Sequence, residues 1–270
     1  MGKFYGLLLA SDLDGTLHNR DHTISPENRD ALSYFQSQGG YFTLATGRSP
    51  QAMETPLRTL ACNAPLILSN GGLIVHHETG AILAEDFMDP VSGRAFCQKA
   101  KTAFPDVTLE VHQQDGVWVF DFNEFSRTHL KLVDIKPIHG QLLDQVPDPW
   151  RKALFLGPPE TLARLLSWAQ TQDIQPFSFC FSHPVMLEMQ AATVHKGAGV
   201  AFVADWLGVA HDNVYCAGDE QNDLPMLTRF HGYAPDNASK EIKAAVSHHL
   251  PHCDQHAIAA LVQALDKKYA

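Results

Sequence analysis

The sequence predicts an α/β protein whose Rossmann-like, parallel-sheet core is interrupted by an inserted α+β domain. Strand-like apolar runs alternate with helix-like stretches in the first third of the chain and again after Lys196, as in parallel sheets covered by helices. Between these parts the apolar runs come in pairs joined by short turns, which favours an antiparallel sheet. We therefore predict a core formed by residues 1–82 and 184–270 and an inserted domain formed by residues 83–183.

The elements of the first third are predicted from apolar runs and their boundaries. The run Tyr5–Ala10 predicts the first strand, and Ser25 followed by Pro26 predicts the start of a helix that ends at Gly39. The next predicted elements are a strand at Tyr41–Ala45, a helix that includes Gln51–Leu60, a strand at Pro65–Ser69 and a hairpin of Leu73–His76 with Ala81–Glu85.

The middle and the last third are predicted in the same way. A polar, proline-interrupted stretch without a predicted element separates two parts of the insertion and runs to Pro149. The predicted elements are helices near Val91–Phe104 and at Pro159–Gln172, strands at Val107–Gln113, Val117–Phe122, Lys152–Leu156, Phe177–Ser182 and Val185–Gln190, then a helix to Leu207, a strand at Asn213–Ala217, a further helix, and a last helix at Ala257–Leu265.

Composition excludes several classes of partner. The 270 residues carry a formal net charge of −10, which argues against a nucleic-acid or anionic-membrane surface, because either would need a basic patch. Five scattered cysteines fit a reduced protein better than a disulfide framework. No apolar run approaches the roughly 20 residues that span a bilayer. We expect a soluble cytoplasmic protein, with its oligomeric state left open.

Two carboxylates follow the first predicted strand. Asp12 and Asp14 are two residues apart, so strand geometry would project both side chains the same way, and Gly15 permits a sharp turn beside them. Paired carboxylates next to backbone donors suit Mg²⁺ and can supply a nucleophile and a general acid/base. The ordinary alternative is a strand that ends in an Asp-Gly turn.

Three further segments could complete a phosphate site. Thr46, Gly47 and Arg48 follow a strand and could cradle a phosphate, Lys196 opens a helix, and the run Gly218–Asp223 offers oxygen ligands for a hard cation. Taken singly, Thr46–Arg48 is more typical of a plain turn and Lys196 of a solvated surface lysine. An acid-rich helix start accounts for Asp219 or Asp223 alone, but poorly for the whole run Gly218–Asp223.

The four segments in this order resemble the haloacid dehalogenase-like superfamily. That family's motifs are matched here by DLDGTL, TGR, a lysine before a helix, and GDxxND. The insertion between TGR and the lysine resembles the Cof-type phosphatases, which carry an α/β cap. The segments Asn70–Gly72 and Leu187–Met189 are similar to phrases of the same subfamily.

The resemblance implies a Mg²⁺-dependent phosphatase that hydrolyses small phosphorylated metabolites, with sugar phosphates preferred, through an aspartyl-phosphate intermediate. It also implies a cap that closes over the core, with the leaving group near Arg48 and Asn70. The implied roles are Asp12 as nucleophile, Asp14 as general acid/base, Thr46, Gly47, Arg48, Lys196 and Asn222 as phosphate-binding or phosphate-orienting residues, and Asp12, Asp14 (through its backbone carbonyl), Asp219 and Asp223 as metal ligands.

Several alternatives remain at this point. The enzyme could act on a phosphorylated cofactor such as pyridoxal phosphate, or move phosphate within a sugar as a phosphomutase. A non-catalytic binding protein is a third class, although unpaired buried carboxylates are costly to hold without a metal. Finally, His252, Cys253 and His256 could form a second, transition-metal site.

Two segments depart from the family pattern. The chain has Ala234–Ala238 (APDNA) where relatives carry a glycine-containing phrase, and Gln255-His256 where many carry Asp-Gly. Neither departure includes a residue predicted to do chemistry, but both are expected to alter loops near the site.

Overall fold

The computed structural model describes residues 2–53, 57, 60–172 and 176–270. The chain divides into two compact units, which we call the core unit and the insert unit. The core unit contains Met1–Gly47, Glu54–Glu85 and His195–Ala270, and the insert unit contains Arg48–Met53 and Asp86–Val194.

The strands and helices of the described residues are numbered here in chain order. The strands are β1 (Leu8–Ser11), β2 (Tyr41–Leu44), β3 (Leu66–Leu68), β4 (Leu73–Val75), β5 (Ile82–Glu85), β6 (Thr108–Gln113), β7 (Val117–Phe120), β8 (Ile138–His139), β9 (Trp150–Leu156), β10 (Phe177–His183), β11 (Met186–Ala191), β12 (Val214–Ala217), β13 (His231–Pro235) and β14 (His248–Leu250). The helices are α1 (Pro26–Ser37), α2 (Pro90–Ala103), α3 (Glu124–Leu132), α4 (Pro159–Ala169), α5 (Lys196–Leu207), α6 (Leu224–Arg229), α7 (Lys240–Ala245) and α8 (Ala257–Lys268).

A parallel sheet forms the centre of the core unit, with the strand order β14-β13-β12-β1-β2. Ser11 at the end of β1 pairs with Ala217 of β12 on one side and with Leu44 of β2 on the other. The strands β1 and β12 are buried along their whole length, which explains their continuous apolar sequences. The carboxyl ends of β12, β1 and β2 therefore lie side by side at one edge.

A small antiparallel sheet, β3-β4-β5, continues this sheet in the core unit. The link is a parallel bridge between Ala45 and Ile67, and the backbone N–H of Thr46 donates to the Ile67 carbonyl at 2.9 Å. The helix α5 packs on the same apolar cluster through Val200, Val203 and other buried residues. This packing fixes the first residue of α5 relative to the sheet.

The insert unit contains a six-stranded sheet with the order β10-β11-β9-β6-β7-β8. Its pairs are antiparallel except β7 with β8. The apolar cluster of the unit combines strand residues such as Val111 and Phe155 with Phe96 of α2 and Leu162 of α4. The helices of the insertion thus cover an apolar sheet face, as expected for an α+β domain.

Two features of the insertion differ from the sequence predictions. The polar stretch before Pro149 contains α3 and β8, because Asn123 and Ser126 form a reciprocal cap at the start of α3 and Leu130 is buried. The apolar signal of α3 is too short to stand out in the sequence. The predicted helix Gln51–Leu60 falls partly outside the described residues, and Pro50–Met53 forms a short 3₁₀ turn.

The division between the units also differs from the predicted boundaries. The boundary after residue 183 would assign β11 to the core, but β11 pairs with β9 and β10 in the sheet of the insert unit. The core unit resumes only at His195, and its first segment extends to Glu85, because β5 pairs with β4. Among the described residues, none of the helices combines the length and apolar character needed to cross a membrane.

Candidate active site

The ends of three neighbouring strands bring the predicted residues of the core unit to one edge of the sheet. Asp12 directly follows β1, Thr46 follows the end of β2, and Asp219 follows β12 after one glycine. The backbone also ties these ends together, since the N–H of Asp12 donates to the Ala217 carbonyl at 2.9 Å. Ligands of open α/β sheets bind at this edge, so the placement is that of a functional site.

A tight approach between two loops depends on Gly15. Gly15 has φ +78°, and a Cβ atom built on it would lie 2.3 Å from Oδ2 of Asp219. A side chain at this position would therefore be strained and would displace Asp219. The hydroxyl of Thr16, the next residue, donates to Oδ1 of Asp219 at 3.1 Å. The DGT part of the first motif thus fixes the position of an acidic residue that is 203 positions away.

Lys196 connects two carboxylates at the centre of the site. Its Nζ lies 2.6 Å from Oδ1 of Asp12 and 2.6 Å from Oδ1 of Asp223, and its side chain is fully buried. His195 caps α5 by accepting the Ala198 N–H at 3.0 Å, which fixes Lys196 as the first residue of the helix. Burial alone would lower the pKa of Lys196, but the two carboxylates outweigh it and raise the pKa above its ordinary value. The ammonium group therefore stays charged.

Lys196 compensates the negative charge of the surrounding carboxylates only in part. Burial raises the pKa of the Asp12 carboxyl to about 7, and Asp223 and Asp14 add to the rise while Lys196 opposes it. Burial, with the charges of Asp12 and Asp223, raises the pKa of Asp219 well above its ordinary value. One lysine thus does not compensate the buried carboxylates, and a further cation would relieve their repulsion.

The donor set fits a hard divalent cation. Carboxylate oxygens of Asp12, Asp219 and Asp223 lie within 4.8 Å of one another, and all three residues are buried. The other oxygen of Asp223 accepts backbone N–H groups from Asp219 at 2.9 Å and Glu220 at 3.1 Å, which closes the turn after β12. Carboxylate oxygens are the ligands that Mg²⁺ prefers.

The carboxylate of Asp14 lies outside this buried group. Its side chain is 40 % exposed, and its Oδ1 lies 3.3 Å from Nδ1 of His18 and 3.7 Å from Nδ1 of His22. The strand alternation expected for Asp12 and Asp14 therefore does not hold, because the chain leaves the strand at Asp12 and turns through Leu13–Leu17. The two carboxylates have different surroundings, one buried beside a lysine and one open to solvent.

The predicted phosphate-binding residue Asn222 is positioned by a second amide. Its Nδ2 donates to Oδ1 of Asn70 at 3.1 Å, and the Asn70 N–H donates to the Thr46 carbonyl at 2.9 Å. Ser69 and Asn70 both have positive φ, 49° and 58°. Such strain in two successive residues is typical of functional loops. The loop after β3 thus joins the Thr46–Gly47 turn to the turn that bears Asn222.

Arg48 is placed differently from the rest of its motif. Thr46 and Gly47 end a segment of the core unit, whereas Arg48 begins the segment Arg48–Met53 of the insert unit. The Arg48 Nη1 donates to the Ala52 carbonyl at 3.2 Å. A phosphate contact from Arg48 stays a prediction.

Several residues that support the site were not predicted from the sequence. Asn237 donates through Nδ2 to the Gly15 carbonyl at 2.7 Å, and the Ser239 N–H donates to the Asp219 carbonyl at 3.0 Å. The APDNA segment, expected only to alter a loop, therefore holds the loop of Gly15, and the next residue, Ser239, holds the loop of Asp219. The signal in the sequence for Asn237 and Ser239 was the short polar run that follows the strand β13. For Thr16 the signal was its place inside the first motif.

The alternative second metal site does not form as predicted. His252 and Cys253 are grouped with Asp254, not with His256, among the described residues. His256 instead has its Nδ1 3.5 Å from a carboxylate oxygen of Glu27, because it adopts a left-handed conformation at the start of α8.

Comparisons with known proteins place the chain in one family. The model of the family described as haloacid dehalogenase-like hydrolase matches residues 9–262. The chain is 27% identical over 272 residues to a putative phosphatase of Bacillus subtilis, covering 96% of this chain and 97% of the relative. It is 27% identical over 265 residues to an HMP-PP phosphatase of Serratia proteamaculans, and the match covers 95% of this chain and 94% of the relative.

A solved structure shows the same fold. It is a haloacid dehalogenase-like hydrolase from Bacteroides thetaiotaomicron, with a TM-score of 0.83, 21% identity, and coverage of 97% of this chain and 99% of that chain. The predicted fold class, an α/β core with an inserted α+β domain, is confirmed. The predicted enzyme class, a phosphoric monoester hydrolase of the haloacid dehalogenase-like type, is confirmed as well. The chain belongs to the haloacid dehalogenase-like hydrolase family.

Proposed function

We propose that the protein is a Mg²⁺-dependent phosphatase of small phosphorylated metabolites that works through an aspartyl-phosphate on Asp12. The observation that carries the proposal is the buried ammonium of Lys196, held between Asp12 and Asp223 at 2.6 Å from each, beside the carboxylate of Asp219. Phosphoryl transfer requires positioning and stabilisation of negative charge, and this arrangement offers both.

In the first step, the Asp12 carboxylate attacks phosphorus and the bond to the leaving oxygen breaks. Asp14 donates a proton to that oxygen, so the product leaves as an alcohol. In the second step, Asp14 takes a proton from water as the water oxygen attacks phosphorus, and the bond to Asp12 breaks. The partial exposure of the Asp14 side chain, 40 %, suits a group that exchanges protons with substrate and water.

The charge of the transferring group is compensated by residues around Asp12. Lys196 opposes the rise of the Asp12 pKa that burial causes, which favours the ionised nucleophile, and it supplies a fixed positive charge. The cation would be held by Asp12, Asp219 and Asp223, and when bound it supplies charge neutralisation for the phosphate oxygens. Thr46, Gly47 and Asn222 would orient the phosphate.

The substrate class is the finer part of the proposal. One relative, 27% identical over 293 residues, is named a 5-amino-6-(5-phospho-D-ribitylamino)uracil phosphatase, from Bacillus subtilis, and covers 97% of this chain. The substrate in that relative's name carries its phosphate on a ribityl chain, which is derived from a sugar. This supports sugar phosphates as the first substrates to test. Pyridoxal phosphate is the second. The cytoplasmic location expected from the sequence stays a prediction.

The test is release of inorganic phosphate from a panel of phosphorylated metabolites, with and without Mg²⁺. The Asp12→Asn variant keeps the size of the side chain but removes the nucleophile, so release should fall by about 10⁴-fold or more, as for the loss of a covalent nucleophile. Asp21→Asn, an exposed carboxylate of the following loop, is the matched control and should retain activity.

Four results would contradict the proposal. Metal-independent release, or release that Asp12→Asn leaves intact, would exclude the mechanism. Conversion of a sugar phosphate to its isomer without release would favour the phosphomutase, and binding without turnover across the panel would favour a non-catalytic protein.

A further inference from the structure

A second group of metal-ligating side chains lies at the Asp14 carboxylate, separate from the buried aspartates. Oδ1 of Asp14 is 3.3 Å from Nδ1 of His18 and 3.7 Å from Nδ1 of His22. One ligand atom from each residue lies within 4.8 Å of the other two. The three residues thus bring a carboxylate and two imidazoles within 4.8 Å of one another.

The backbone holds both histidines in place. The His18 side chain is only 5 % exposed, and its backbone N–H donates to the Leu13 carbonyl at 2.7 Å. The His22 N–H donates to the Asn19 carbonyl at 3.0 Å, and Asn19 Oδ1 accepts the backbone N–H groups of Asp21 and Thr23. His22 itself has φ +55°, a left-handed conformation that is uncommon for residues other than glycine. The turn thus directs its ring back towards Asp14.

The distances suit a small tetrahedral cation. Metal–ligand bonds of about 2.0–2.2 Å place neighbouring tetrahedral ligands about 3.3–3.6 Å apart. Oδ1 of Asp14 lies 3.3 Å from Nδ1 of His18 and 3.7 Å from Nδ1 of His22. Two imidazoles and one carboxylate are a ligand set typical of Zn²⁺ and related transition metals, whereas Mg²⁺ prefers oxygen ligands alone. The side chains of Asp14 and His22, 40 % and 46 % exposed, leave the point accessible from solvent.

The other histidine-containing group is less suitable. Nε2 of His252 lies 2.9 Å from a guanidinium nitrogen of Arg20, and Nε of Arg20 lies 3.6 Å from Asp254. A positively charged side chain therefore already occupies the space beside that carboxylate. The buried group of Asp12, Asp219 and Asp223 has only oxygen ligands, so the two candidate sites of the catalytic edge differ in chemistry.

We propose that Asp14, His18 and His22 form a second metal site that binds Zn²⁺ or a similar transition metal and inhibits the enzyme. Binding would replace the proton on each ring nitrogen that carries one and would engage the Asp14 carboxylate. A coordinated carboxylate can neither donate nor accept the proton that each step requires. Inhibition rests on the proposed role of Asp14 in the phosphatase reaction, but metal binding does not.

Binding is tested first, with Co²⁺ as a spectroscopic probe of four-coordinate sites, in full-length protein saturated with Mg²⁺. The expected result is strong visible absorption, with the affinity lowered at least about tenfold by His18→Gln and by His22→Gln. His252→Gln is the matched control and should leave the affinity unchanged. Absorption that excess Mg²⁺ removes, or that both substitutions leave intact, would overturn the site.

Inhibition is tested second, as phosphate release at saturating Mg²⁺ with increasing free Zn²⁺, each variant being compared with its own rate without Zn²⁺. We expect at least a tenfold loss of rate in the wild type, and a half-inhibiting Zn²⁺ concentration at least about tenfold higher in His22→Gln. Inhibition that is relieved by Mg²⁺, or equal in His22→Gln, would refute the inhibitory role. Because Co²⁺ binding is measured without turnover, failure of the proposed function would not hide the result.

Discussion

The substitution Gly15→Ala tests whether the close approach of the first loop to Asp219 controls the site. Gly15 has φ +78°, and an added Cβ would lie 2.3 Å from the Asp219 carboxylate. Gly6 has the same φ of +78°, and an added Cβ there would have nothing within 4 Å. The two alanine variants therefore share the backbone strain and differ in the collision.

The sizes of the two effects can be separated. The left-handed conformation costs an alanine about 1–2 kcal/mol, so both variants should lose about that much stability. In Gly15→Ala the Asp219 oxygen must also move by at least 0.7 Å to reach 3.0 Å, the shortest distance that real Cβ atoms show. A misplacement of about 1 Å at a reacting centre costs about 10²-fold in rate, so we expect that loss in Gly15→Ala alone.

The assay combines urea unfolding of both variants with Mg²⁺-dependent phosphate release. Gly6→Ala should retain the wild-type rate despite its lower stability. Gly15→Ala should also need more Mg²⁺, because Asp219 is a candidate ligand. A Gly15→Ala rate within about threefold of the Gly6→Ala rate would refute the reasoning, since the collision would then have no consequence for the site.

Three further predictions concern charge. Lys196→Met leaves Asp12 and Asp223 without their buried cation. Urea unfolding should therefore show a free energy of unfolding lower by about 3–5 kcal/mol, and phosphate release should be lost. A decrease below about 1 kcal/mol would contradict the buried ion pairs. In the insert unit, burial raises the pKa of Glu110, but hydrogen bonds from two histidines outweigh it and lower the pKa to about 2. This corresponds to about 3 kcal/mol of stability that is present above pH 4.5 and lost as the pH falls towards 2. Glu110→Gln should therefore flatten the decrease of Tm between pH 5 and pH 2. An unchanged slope would contradict the stabilisation by the Glu110 carboxylate. Mg²⁺ at about 100 times its Kd should stabilise the protein by about 2.7 kcal/mol, and EDTA should reverse this stabilisation. Equal Tm values with Mg²⁺ and with EDTA would argue against a bound cation.

Much of the fold and of the site could be predicted from local sequence. The helix start at Ser25-Pro26 follows from capping chemistry, and β1 and β12 follow from continuous apolar runs. Where such signals were weak, the prediction failed: α3 carries only a short apolar stripe and was missed. The strand β11 was detected, but its partners lie in the insert sheet, and pairing between distant strands leaves no local mark in the sequence.

The sequence by itself determined which residues could do the chemistry. Asp12, Asp219 and Asp223 follow strands whose carboxyl ends meet at one edge of a parallel sheet, and motif order alone makes them the candidates. Only the tertiary structure decided how these charges are divided. It buries Lys196 between Asp12 and Asp223, and it leaves the Asp14 carboxylate beside two histidines. The physical reason is that burial and distances between charges, which set the state of each carboxylate, depend on packing between segments far apart in the chain.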